Sequence, residues 1–180
     1  MIYYFIIATV VGFLLSFLAG IALALIFIII WIDKSVIGYF EVFHRIGIEL
    51  TTVATIFLGF LYGPIPAFVF TMVVILLAHG FKLISFPGAQ SEWPPFVPHP
   101  YNLIDAIGAA AAAMLSGLPL FNVLIIVLIA KTALYMIFEN LAFGKPPNFV
   151  GAFINIVFNI AVFVPMAQLF ISLTGVNLAL

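Results

Sequence analysis

The stretch IYYFIIATVVGFLLSFLAGIALALIFIIIWI, residues 2–32, contains no charged side chain and ends at Asp33-Lys34. A helix needs about 20 apolar residues to cross the roughly 30 Å hydrocarbon core of a bilayer. At about 1.5 Å per residue this run crosses with tilt to spare, so it predicts a first transmembrane helix over residues 2–32. It lacks the basic n-region of a signal peptide and continues well past Ala22-Leu23-Ala24, its only A-x-A-like site. It therefore reads as a retained helix.

The rest of the chain has the same character. Of 180 residues, 67% are hydrophobic, 16% aromatic and 6% charged, against roughly a quarter charged in soluble domains. That excludes a water-soluble monomer and predicts a multi-pass protein of the cell membrane. Five basic and six acidic residues give a formal charge of −1, so there is neither a basic field for nucleic acid nor an acidic tail for a basic partner. The absence of cysteine closes thiol catalysis, thiolate metal sites and disulfides.

Proline and glycine divide the chain after Ile32. Residues 33–45 are mixed in polarity and read as an interfacial loop or short amphipathic helix containing Lys34, Glu41, His44 and Arg45. A second span covers about 47–62 and breaks at Gly63-Pro64-Ile65-Pro66, forming a hairpin with a third over about 66–84. Phe86-Pro87-Gly88 opens the longest irregular segment, which holds Trp93, Pro94, Pro95, Pro98 and Pro100. A fourth, alanine-rich span over about 102–115 ends at Ser116-Gly117-Leu118-Pro119. The fifth covers about 120–143, breaks at Gly144-Lys145-Pro146-Pro147, and leads to a sixth over about 148–173. The expected fold is all-α, about six transmembrane helices in one bundle and one domain over 1–180, with both termini on one side.

Ala8, Gly12, Ser16, Gly20 and Ala24 recur every four residues in the first span, and small side chains let helices approach closely in lipid. This stripe serves either docking to a partner protein or packing within the chain. Gly108, Ala109, Ala112, Ala113 and Ser116 form a second small surface, read as internal packing. Ionisable groups within spans cost about 2.5–3.5 kcal/mol each on insertion scales and so demand a reason; Glu49, Lys131 and Glu139 are the prime cases. Lys131, Tyr135 and Glu139 share one helical face, as do Asn155 and Asn159 on the next span, so two polar stripes can face one cavity. Arg45 and Lys82 are read as snorkelling to headgroups. His44, His79 and His99 lack ligand spacing, and no metal site is predicted. No H-E-x-x-H, G-x-S-x-G or P-loop pattern occurs, so no catalytic residue, cofactor or enzyme activity is expected. A helical bundle with an off-centre polar cavity and an aromatic, proline-rich lid points to binding of a small polar molecule.

Gly59-Phe60-Leu61-Tyr62-Gly63-Pro64, followed by a further apolar span, resembles the helix-two to helix-three junction of the substrate-binding S components of energy-coupling factor (ECF) transporters. The length, the six-helix plan, the small residues of helix one and the asparagines of helix six extend the resemblance over most of the chain. It implies a subunit that captures a vitamin or similar micronutrient and works with a transmembrane T component and two ATPase subunits. It further implies T-component docking through Gly12, Ser16, Gly20 and Ala24. By position, it implies a pocket formed by Trp93, Asn102, Asp105, Lys131, Tyr135, Glu139, Asn155 and Asn159. Lys34, Arg45, Lys82 and Lys145 all fall on the side that the resemblance makes external, whereas the positive-inside tendency makes that side cytoplasmic. The alternative is an MreD-like membrane scaffold without a small-molecule substrate, although the Arg-Pro-Asp signature associated with that family is missing.

Overall fold

In the computed structural model, the apolar run over 2–32 folds into two helices, α1 (Ile2–Ala19) and α2 (Ile21–Ser35), which reverse direction at Gly20. Residues 2–40, 42–43, 46–86, 88–89 and 93–175 are described, so Glu41, His44 and Arg45 lie outside the described residues. Gly20 adopts φ 140° and ψ 151°, a backbone region that glycine alone enters without strain. The two arms run antiparallel. The Phe5 and Trp31 rings lie 5.6 Å apart, and Phe27 sits so close over Gly12 that an added Cβ would overlap its ring.

The expected single first helix is therefore corrected to a hairpin. Hydropathy sums apolar character and is blind to chain reversal, because both arms of a hairpin in lipid are as apolar as one long helix. The small residues change meaning with it. Gly12 and Ser16 stand on α1, Gly20 is the joint and Ala24 stands on α2; Ser16 and Ala24 are buried. They form no continuous outward stripe on one helix, because the period of four is broken where the chain turns.

Among the described residues the bundle continues with α3 (Thr51–Tyr62), α4 (Pro64–Ser85), α5 (Pro100–Met114), α6 (Leu120–Phe143) and α7 (Phe149–Thr174), with a 3-10 turn at Ile37–Tyr39 after α2. The fold is all-helical among the described residues, and five of its segments are long and apolar enough to cross a membrane. Gly63, at φ 82°, turns α3 into α4 with Pro64 at the first helical position, where its missing N–H costs nothing. The short α3 is the centre of the bundle, with Thr51 to Gly59 all buried. It is covered by α5, whose Ala109, Ala112 and Ala113 let the helices approach until Gly59 touches them. Ser116 lies past the end of α5 in an exposed turn.

Successive helices alternate in direction. Gly20, Gly63 and residues 115–119 turn the chain at one end, and α2, α4 and α6 end at the other, where α3, α5 and α7 begin. Contacts fix this second end: Lys82 Nζ donates to the Gly38 carbonyl at 3.2 Å, and Phe5 packs against Phe86 at 4.9 Å. Lys82 is buried, so it ties a connection to α4 instead of snorkelling to headgroups. With the first run folded double, residue 2 lies at this second end and residue 174 at the opposite end, which corrects the expectation of both termini on one side. Tags at the two termini are accordingly expected on opposite faces of the membrane; protease protection placing both on one face would contradict the hairpin.

Candidate functional site

Asp33 and Lys34 lie in the last turn of α2, where apolar sequence gives way to a charged pair. Asp33 is fully buried. It accepts from the Leu50 N–H at 2.8 Å and from the Thr51 hydroxyl at 2.5 Å, placing a carboxylate at the start of α3, where backbone donors are otherwise orphaned. Lys34 Nζ reaches Asp105 at 3.1 Å, Glu49 at 3.6 Å and Asp33 at 3.7 Å.

Lys131 completes the network from α6. Its Nζ lies 2.6 Å from Asp105 Oδ1 and 3.7 Å from Glu49 Oε1, and it donates to Thr52 Oγ1 at 2.7 Å. The Thr52 hydroxyl donates in turn to Glu49, and the Tyr135 hydroxyl donates to Asp105 Oδ1, each at 2.5 Å. Three carboxylates thus face two ammonium groups drawn from α2, the segment before α3, α5 and α6. Lys131 and Asp105 are almost completely buried, at 2% and 1% exposure, which makes each dependent on the other for compensation.

Beside this network lies a cavity of about 330 Å³. Lys34 and Glu49 belong to both. Tyr101, Tyr135 and Glu139 form one wall from α5 and α6, and Asn148, Gly151 and Asn155 form another around the start of α7. The Tyr101 hydroxyl donates to Glu139 Oε1 at 2.9 Å, and its ring meets that of Tyr135 edge to face at 5.4 Å. The backbone of Gly47 closes one side. It accepts from Asn155 Nδ2 at 2.9 Å at φ 88°, and a side chain there would overlap the Gly151 carbonyl.

Of the residues expected in the pocket, Tyr135, Glu139 and Asn155 line the cavity, while Asp105 and Lys131 lie in the adjoining network. Three stand apart. Asn159 is buried one turn further along α7, donating to the Asn155 carbonyl at 2.9 Å. Asn102 is buried beside Tyr101 but does not line the cavity, since neighbouring helical positions differ by about 100° in direction. Trp93 donates Nε1 to the Pro98 carbonyl at 3.2 Å and packs edge-on against His99 at 4.7 Å. His99 caps α5 by accepting from the Tyr101 N–H and stacks toward Tyr101 at 4.5 Å, so the His99 ring stands between Trp93 and the cavity wall at Tyr101. No group of three or more His, Asp or Glu side chains is placed to hold a metal ion among the described residues.

Sequence reasoning leaves Lys34, Gly47, Tyr101 and Asn148 out of the pocket. It marks Glu49 as an intramembrane acid without assigning it there. The available signal is charge pairing: a lysine in the middle of a span needs carboxylates, and Asp33, Glu49 and Asp105 all fall at the same end of their spans.

Removing one member of the central pair leaves the other buried and uncompensated. Asp105→Asn or Lys131→Met is therefore expected to cost about 3–5 kcal/mol, read as a lower unfolding midpoint in detergent. The double variant should lose clearly less than the sum of the two; strictly additive losses would show that the side chains do not act as a pair. Comparison with protein-family models, with curated proteins and with solved structures finds no match to this chain.

Proposed function

We propose that this protein is the solute-capture subunit of an importer in the cell membrane, of the ECF S-component type, and that it holds a vitamin-like solute in the cavity between α5, α6 and α7. The observation that carries this reading is the cavity, whose volume of about 330 Å³ falls at the lower end of the range for small-molecule sites. Its wall combines aromatic rings with a few polar groups, and it adjoins intramembrane charges of the kind that mark solute pathways.

The far end of the bundle is apolar and tightly filled. Phe57 stacks on Phe163 and Phe170 at 5.7 and 4.6 Å between centroids, so solute enters from the charged end, which in this reading faces outward. Lys34 and Lys82 are engaged in interior contacts, which weakens their weight as positive-inside signals. The chain has no P-loop, so the energy for uptake falls to partners: a T component and two ATPase subunits. The Gly-Phe-Leu-Tyr-Gly-Pro segment, on which the resemblance to S components rests, forms the α3–α4 turn.

One observation favours the second reading, a membrane scaffold: α1 is only 6% buried, leaving a long apolar face for a protein partner. Native mass spectrometry of gently purified protein separates the two. The capture reading predicts a stoichiometric co-purified molecule of vitamin size, weakened by Asn155→Leu without loss of folded protein, and recovery of the T component and ATPases in a pull-down. Absence of any ligand after incubation with a vitamin mixture, together with a stable partner of another kind, would establish the scaffold.

A further inference from the structure

The charges around the cavity are unequal in number and in how they are engaged. Lys34 and Lys131 each contact two or more carboxylates. An anionic ligand would have to draw an ammonium group away from these contacts, leaving a buried acid unpaired, which is strongly unfavourable. Glu139 is the opposite case. Among the described residues it is the one carboxylate with no lysine or arginine within ion-pair distance, and its only partner is the Tyr101 hydroxyl. It lines the cavity together with Tyr101 and Tyr135; aromatic faces carry the negative part of the quadrupole and attract cations, as the Tyr135 ring already does with Lys131 Nζ at 5.8 Å.

A metal ion fits this wall poorly. Hard cations need several converging oxygen ligands, and the other carboxylates of the site are held by lysines. We propose that the cavity takes a small organic cation, an amine or a quaternary nitrogen compound, with its positive charge placed at Glu139 beside the rings of Tyr101 and Tyr135. This rests on the reading of the cavity as a solute site and adds the charge class of the solute.

The test uses the full chain in detergent and three probes of like size and opposite charge: benzylammonium, benzyl alcohol and benzoate, titrated by calorimetry. Benzylammonium is expected to bind about tenfold more tightly than benzyl alcohol, with benzoate the weakest. Glu139→Gln should bring benzylammonium to within about twofold of the alcohol, and Glu139→Asp should retain most of the preference. Benzoate or benzyl alcohol binding as tightly as the ammonium, or a preference that survives in E139Q, overturns the assignment while leaving a solute site in place. Failure of all three probes to bind removes the solute site itself, and the charge class with it. The ordering of the probes in the unsubstituted protein decides the matter even if E139Q does not fold.

Discussion

Lys131 and Asp105, 2.6 Å apart and out of contact with solvent, join α6 to α5, and Lys34 and Glu49 extend the same contact to α2 and the start of α3. In lipid there is little hydrophobic drive between helices, so association depends on close packing and on polar groups that find one another. A lone lysine in the middle of a span is costly, and four elements must arrive in one register before the cost is relieved. Gly108 supplies the room: the Lys131 methylenes lie where its Cβ would stand. The small residues of α5 thus serve two ends, admitting α3 through Ala109 and Ala112 and admitting a long cationic side chain through Gly108.

The cavity is a product of that arrangement. Tyr135 is shared, giving its hydroxyl to Asp105 and its ring to the wall, so the network fixes the orientation of one surface that a solute would meet. The opposite wall is built by backbone, with Gly47 and Gly151 in close approach and Asn155 bridging them. The two walls differ in origin, side chains held by ion pairs on one and chain segments held by a hydrogen bond on the other. The excess of carboxylate over ammonium is a property of the whole network, and Glu139 is where it becomes accessible.

Much of the architecture is legible in the sequence because proline and glycine act locally. The breaks at Gly63-Pro64, Ser116 to Pro119 and Gly144 are where the helices end, since each depends on backbone chemistry at a few positions. The reversal at Gly20 is not legible. It needs one glycine in an unusual conformation, and glycines in apolar runs more often serve packing. Period-four spacing brings Tyr135 and Glu139 to the same wall correctly, because it depends on one helix alone. Asn159, on the same reasoning, stands too deep, and Lys34 and Glu49 escape it because they meet from two different segments, the end of α2 and the residues just before α3. Spacing along a helix reports which face a residue occupies; it does not report how far along the axis a neighbouring loop reaches.

The order in which the network closes also bears on how the chain is made. The α1–α2 hairpin ends at Ser35, and it carries Asp33 and Lys34 at its end. Asp33 meets Leu50 and Thr51, and Lys34 meets Glu49, soon afterwards, but Asp105, the carboxylate nearest to Lys34, follows roughly seventy residues later, or about 4–14 s at ordinary rates of synthesis. Throughout that interval Lys34 lacks the carboxylate that lies nearest to it in the folded chain. Completion of the charged network is therefore a late event, and nascent chains halted before α6 are the species that membrane quality control would meet as incompletely paired.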